Sequence, residues 1–519
     1  MSAHENTRSS QSQVAGDQAH LDCKPDPSSE TVTIGNVLDD MIQRWDDNGC
    51  DDFFACEDWY PEVEYSYRKG GHHPLLLGDY IGPEKQYRLV HKLGLGAYGI
   101  VWLCQVVGCD PPLYVAAKTL TADCSGTNGD EARTLKQLET LSKRHPEIWD
   151  YILRPRDMFQ IHGPNGTHDC VIYPVAGAPV KTINADGIQD PQAYLRAFTR
   201  QSAQAMASIH RHGICHGDFR PGNILLRIKG LNGIPLEQVY EMVGGLGARE
   251  AREIEYEDED EESPVLCPPK YLIYPIQDFG PCTAEMATNK LCVVDWGESF
   301  HVSSPPEDGT RIPFEYAAPE LYFEGKCGFS SDMWALACTL VEIRTGHRLF
   351  PVCQQWQELH DGDYLYAIVK GLGIPPESLW SKHREDWEER CVLMEADPDP
   401  DALVAEMTEL GGHEVLQRYL NEILSRKCDH RIDTGLEILW REPMPEDERK
   451  PFADLISKML AWEPEKRLTI QQVLEHPWFS YDSPPAQKAD DDRQGKITYA
   501  SLTLSLSDII TRVLRSVFG

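Results

Sequence analysis

The chain has 519 residues, 41 % of them hydrophobic, which suits two or three core-forming units. It carries 49 basic against 83 acidic side chains, a net charge of −34 that repels nucleic-acid phosphates and anionic membranes and attracts cationic partners. No direct nucleic-acid or membrane binding is therefore expected, although the same acidity would also serve solubility alone and names no substrate.

No apolar run is long enough to span a bilayer, and the start Met1-Ser2-Ala3-His4-Glu5 lacks the basic and apolar stretches of a secretory signal. An intracellular protein, in cytoplasm and nucleus, is expected. The sixteen cysteines are scattered with no Cys-x-x-Cys pair, so they read as reduced, mostly buried small hydrophobes and not as metal ligands or disulfides.

The first 33 residues are polar and rich in Ser, Gln and Asp, a composition that cannot bury enough apolar surface to fold. From Val37 to Tyr67 acids mix with aromatics such as Trp45, Phe53, Trp59 and Tyr60, a stretch expected to pack on the domain without entering its core. Residues 1–66 are thus read as an N-terminal extension. The runs Tyr87–Val90 and Ile100–Leu103 flank a glycine cluster and read as strands, and Leu113–Lys118 reads as a third. Farther on the pattern turns helical, over Tyr194–His212 and again over Ser330–Thr345. Between Asn223 and Asp295 lies the acidic run Glu255 to Glu262, a self-repelling block. Leu231 to Met286 is therefore expected to be an insertion, partly disordered. Beyond a linker at Asp482–Gly495, Ser507 would cap a last amphipathic helix with Ile509, Ile510, Val513, Leu514, Val517 and Phe518 on one face.

Gly94-Leu95-Gly96-Ala97-Tyr98-Gly99-Ile100-Val101 fits G-x-G-x-x-G-x-V, in which glycines let backbone amides approach phosphate oxygens. Dinucleotide folds share G-x-G-x-x-G but lead into a helix, whereas strand-like runs lie on both sides here. Val115-Ala116-Ala117-Lys118 then supplies a lysine for the α- and β-phosphates. Glu131 is the favoured carboxylate partner for Lys118, because Leu135 and Leu138 recur four and seven positions on; Glu139 is the fallback. His216-Gly217-Asp218-Phe219-Arg220-Pro221-Gly222-Asn223 fits H-x-D-x-x-x-x-N, with Asp218 to accept a hydroxyl proton and Asn223 to hold magnesium. Val293-Val294-Asp295-Trp296-Gly297 offers a second magnesium ligand in Asp295.

These motifs, from about Tyr67 to Phe479, resemble the protein kinases. His-Gly-Asp and Val-Val-Asp-Trp also resemble the aminoglycoside and choline kinases, and a pseudokinase scaffold is a third reading. Ala318-Pro319-Glu320, Asp332-Met333-Trp334 and Arg467, the expected structural partner of Glu320, match protein kinases alone. Within them, Tyr67-Arg68-Lys69-Gly70-Gly71-His72-His73-Pro74, the phrase His91-Lys92-Leu93-Gly94, the position of the insertion and Leu372-Gly373-Ile374-Pro375-Pro376 resemble the serine/arginine-protein kinases, in their fungal-type branch.

The resemblance implies an α+β, bilobal kinase fold: an antiparallel-strand N-lobe and hinge over 67–177, a mainly helical C-lobe over 178–480 interrupted at about 231–286, and a tail over 481–519. It implies ATP and Mg²⁺, with Leu93 through Val101, Ala116, Lys118 and Leu225 around the nucleotide. Tyr173 would be the gatekeeper, and the backbone of Pro174 and Ala176 would read adenine. The implied catalytic residues are Asp218, Lys118, Glu131 and Arg220. Protein substrates, basic and Ser/Arg-rich, and a monomer are expected. Four departures stand out. Gly217 replaces an arginine that would pair with an activation-loop phosphate, Arg220 a lysine, Pro313 a threonine and Ala317 an arginine.

Overall fold

The computed structural model describes residues 63–126, 130–183, 190–243, 248–250, 266–276, 287–351, 361–393, 400–428 and 441–481. The acidic run Glu255 to Glu262, the aromatics before Val63 and the amphipathic helix expected after Ser507 lie outside them.

The first lobe is a six-stranded antiparallel sheet in the order β1-β2-β3-β4-β6-β5. Its strands are β1 (Tyr80–Ile81), β2 (Tyr87–Gly96), β3 (Gly99–Val106), β4 (Tyr114–Leu120), β5 (Asp157–Gly163) and β6 (Gly166–Pro174), with one α-helix, α1 (Asp130–Ser142). Alternation sends successive side chains of a strand to opposite faces. On β4 and β6, Ala116, Val171 and Tyr173 join the core shared with the second lobe, while Val115, Ala117, Cys170 and Ile172 face outward.

That outer face is covered. Leu231, α3 (Leu236–Met242) and strand β10 (Tyr271–Ile273), which pairs with β9 (Ala248–Glu250), belong to the expected insertion. Leu236, Val239, Tyr240, Val243, Tyr271, Leu272 and Ile273 pack in one cluster with Tyr67, Leu89, Trp102 and Val115. Tyr114 donates its hydroxyl to Ile234 O (2.9 Å), Tyr240 to Val90 O (3.1 Å), and the Ile276 amide donates to Lys92 O (2.9 Å). Of the expected insertion, the stretches 231–243 and 271–276 thus pack into the small lobe's core. Tyr67, 1 % exposed, is likewise core and not an appendage.

The second lobe is built on α2 (Pro191–His210), capped by Asp190, and the almost wholly buried α5 (Phe329–Thr345). Helix α4 (Pro319–Glu324) lies between them in sequence, and further helices over 361–372, 377–393, 400–410, 412–425, 446–459 and 470–474 complete the lobe. Two small ribbons frame the cleft: β7 (Ile214–Cys215) pairs with β12 (Phe300–His301), and β8 (Ile224–Ile228) with β11 (Ala287–Val293). Among the described residues no helix is long and apolar enough to cross a membrane.

Candidate active site

Lys118 projects from β4 between two carboxylates. Its Nζ donates to Glu131 Oε2 at 2.6 Å and to Asp295 Oδ1 at 2.7 Å. The phase of α1 chooses between the two candidate glutamates: Glu131 is buried with Leu135 and Leu138, while Glu139 is exposed and pairs with Arg154. The Tyr173 hydroxyl donates to the other oxygen of Glu131 at 3.1 Å. Burial opposes the charge on Lys118, but Asp295 and Glu131 outweigh it and hold the ammonium above its usual range. Burial also lifts Glu131, whereas for Asp295 the contact with Lys118 overrides burial and keeps the carboxyl below the ordinary value.

The ribbons β7–β12 and β8–β11 hold the segment from His216 to Asn223 beneath that ion pair. Asp332, 2 % exposed at the start of α5, accepts from the backbone amides of His216 (2.8 Å) and Gly217 (3.0 Å) and contacts His210 Nε2 at 2.9 Å. His216 Nδ1 accepts from the Asp218 amide, so Nε2 carries the proton and donates to Val294 O at 3.2 Å. Burial lowers the pKa of His216, in keeping with this neutral form. Asp218 takes bonds from Arg220 Nε at 3.0 and 3.1 Å and from Asn223 Nδ2 at 2.7 Å. Burial pushes its carboxyl up to about 6 against the pull of Arg220.

The phosphate side of the cleft is open. A Cβ on Gly94 would meet nothing within 4 Å, and one on Gly96 only Gly99 O at 3.8 Å. Gly99 is different: its Cβ would lie 2.5 Å from Thr119 O, so this glycine serves the close approach of β3 to β4. Leu93, Val101, Ala176 and Leu225, drawn from both lobes, pack against one apolar cluster that holds Ala116 and Tyr173. Alternation turns the Ile100 side chain to the outer cluster, which leaves its backbone as the part that faces the loop. Leu95 and Ala97 are exposed at the loop's tip beside Tyr98.

Asn223 commits its amide nitrogen to Asp218, which leaves its oxygen as the group available to a cation. Asp295 offers a second oxygen donor. This all-oxygen pair fits Mg²⁺, whose remaining ligands would be phosphate oxygens and water. Among the described residues no group of three or more His, Cys, Asp or Glu could hold a metal by itself.

Away from the cleft, Arg467 makes a bidentate pair with Glu320 at 2.6 and 2.7 Å and lies over the Trp334 ring. Sequence reasoning missed the anchoring by Asp332, seen only as part of a motif. It also missed Glu298, Arg311 and Tyr98 as a group, which no local pattern connects.

A protein-kinase cleft is what this arrangement defines: a glycine-rich loop, a Lys–Glu ion pair, a His-x-Asp loop with its asparagine, an Asp-x-Gly acid and a buried Glu–Arg pair. The family model for the protein kinase domain matches residues 284–479. Over 457 residues the chain is 25 % identical to the serine/threonine-protein kinase SRPK of Physarum polycephalum, covering 84 % of this chain and 95 % of that one. It is 24 % identical to the dual specificity protein kinase KNS1 of Saccharomyces cerevisiae, over 79 % of this chain and 58 % of the relative. It is 29 % identical to human SRSF protein kinase 3, over 39 % and 35 %. The chain carries a protein kinase domain, and it is similar to kinases of the SRPK and SRSF type.

Proposed function

We propose that this kinase moves the γ-phosphate of Mg-ATP to serine or threonine hydroxyls in basic, Arg-containing segments of proteins. The observation that carries the substrate class is the net charge of −34, which favours cationic partners. Beside the segment that leads into Ala318, the chain already docks one arginine on a carboxylate: Glu315, 4 % exposed, pairs with Arg348 at 2.5 Å.

In this reading Asp218 accepts the proton of the incoming hydroxyl. A carboxyl raised to about 6 is still ionised at neutral pH and is a stronger base than an ordinary aspartate. Arg220 keeps its charge tolerable in a buried place. Lys118, oriented by Glu131 and Tyr173, faces the phosphates. Mg²⁺, held by Asn223 and Asp295, would offset the charge on the phosphate oxygens.

The test is steady-state phosphorylation of Arg/Ser-rich, neutral and acidic peptides, with an aminoglycoside and choline as controls. Basic peptides should give the highest kcat/KM. That value should fall as the Debye length shrinks from ~10 Å at 0.1 M salt to ~3 Å at 1 M. A preference for acidic or neutral peptides would overturn the substrate class and leave the kinase assignment standing.

A further inference from the structure

The chain after Asp295 doubles back over the catalytic loop at Glu298. Gly217, with φ +78°, makes room for it, since a Cβ there would lie 2.2 Å from Glu298 O and 3.0 Å from Thr310 Cγ2. The Glu298 carboxylate accepts from the backbone amide of Arg311 at 2.9 Å. The Arg311 guanidinium in turn sits 5.8 Å from the centroid of the Tyr98 ring, at the tip of the glycine-rich loop. Tyr98 Cδ2 is 3.8 Å from where a Gly297 Cβ would be, so the ring reaches across the cleft to the Asp-Trp-Gly segment. Burial first and then the Glu298 carboxylate hold the Tyr98 hydroxyl well above its usual pKa, and Arg311 opposes them. The carbonyl of Tyr98 is fixed by the Thr121 amide at 2.9 Å, so the side chain swings from a defined base.

Three segments that handle the reaction thus meet at one polar knot on the rim of the cleft. None of its members is among the groups proposed above to take the proton or hold magnesium, so these are positioning residues. We propose that Tyr98, Glu298 and Arg311 form a latch that holds the glycine-rich loop down on the segment after Asp-Trp-Gly, and that its opening sets how fast nucleotide enters and leaves. The proposal rests on the reading that ATP occupies the cleft. In this scheme Gly217 makes the latch possible, because any side chain there would push Glu298 away.

The experiment is stopped-flow dissociation of a fluorescent (mant) ADP from the full chain, alongside KM for ATP and kcat. Tyr98→Phe keeps the ring and removes the hydroxyl, Glu298→Gln removes the charge, and Arg311→Ala truncates an exposed side chain and leaves folding intact. Each single variant should speed ADP release, by about tenfold for Glu298→Gln, which weakens the charge-assisted bond from the Arg311 amide. KM for ATP should rise in all three, and in Arg311→Ala, which lies outside the nucleotide site, kcat should not fall. Tyr98→Phe combined with Glu298→Gln should release ADP no faster than either alone, because a latch cut once is open. Wild-type release rates in Tyr98→Phe and Arg311→Ala, or fully multiplicative effects in the double variant, would overturn the latch and leave the nucleotide site intact. A wild-type chain that binds no mant-ADP would overturn the latch together with the functional reading beneath it.

Discussion

The catalytic loop and the glycine-rich loop face the same phosphates from opposite sides, yet they are held by opposite means. The loop from His216 to Asn223 is pinned from below. Asp332 grips two of its amides, Thr339 Oγ1 donates to Phe219 O at 3.1 Å, and every one of these groups is buried. The loop from Gly94 to Val101 has its tip in solvent and is restrained at the rim by Tyr98. A group proposed to take a proton gains from being held in place, because misplacement by about 1 Å can cost ~100-fold in rate. The loop that would admit nucleotide is fastened at its exposed rim.

Removing the pin should do the most damage. Asp332→Ala leaves two buried amides and an imidazole without their acceptor, and should cost about 3–5 kcal/mol, read as a large drop in Tm with loss of activity. A variant as stable and active as wild type would show that the ribbons β7–β12 and β8–β11 suffice to hold the loop. Next in size, Asp218→Asn should lower kcat by ~100-fold or more while leaving Mg-ATP affinity near wild type. Asp295→Asn should lose both, which calorimetric titration of Mg-ATP would separate. Equal loss of affinity in the two would sink the division of roles.

On the other side of the comparison, the outer face of the strands that carry the glycine-rich loop depends on the insertion. Leu272→Ala, at a fully buried position, should destabilise by about 2–5 kcal/mol and weaken nucleotide binding. Removing only residues 251–265 should leave Tm where it was. If that short deletion unfolds the protein as well, the acidic segment contributes to the core and the insertion has no dispensable middle.

The smallest effect expected is one of pH. His73 packs against His168 with ring centroids 4.9 Å apart, and Gly163 lies against its ring. Burial and then His168 bring its pKa down from 6.5 to about 4, and His168 is lowered as well, by burial. Between pH 6.5 and 4 the unfolded chain therefore binds a proton that the folded chain refuses. Stability is complete above pH 6.5 and declines as pH falls through that window. Hydrogen exchange resolved by lobe should show the small lobe loosening first on acidification, and His73→Gln should flatten the slope. An unchanged slope would assign the acid sensitivity elsewhere.

Much of the site is legible in the sequence because its chemistry leaves little freedom. A lysine for phosphates, a carboxylate for a proton and oxygen donors for magnesium must stand at fixed separations along the chain, so Lys118, Asp218, Asn223 and Asp295 can be picked out before any fold is known. Glu131 is separable from Glu139 by the phase of a single helix. The motif taken whole does not separate Ile100 from Val101, although alternation along β3 sends their side chains to opposite faces. In the insertion the charge run dominates the reading. Leu236, Val239, Tyr240 and Val243 nevertheless stand at the spacing of a buried helical stripe, a signal present in the sequence itself. What sequence cannot convey is the meeting of Tyr98, Glu298 and Arg311. They are brought together only by the return of the chain over Gly217, a purely tertiary event.

The bond from Tyr173 to Glu131 carries a message for inhibitor chemistry. Tyr173 stands opposite Ala116 in the β4–β6 register and is only 7 % exposed. A ligand that displaced the ring would also strip Glu131 of a partner and slacken its hold on Lys118. Carving a hole at position 173 to admit an enlarged ATP analogue would disturb the ion pair the experimenter hopes to leave alone, unless a second change restores a donor to Glu131.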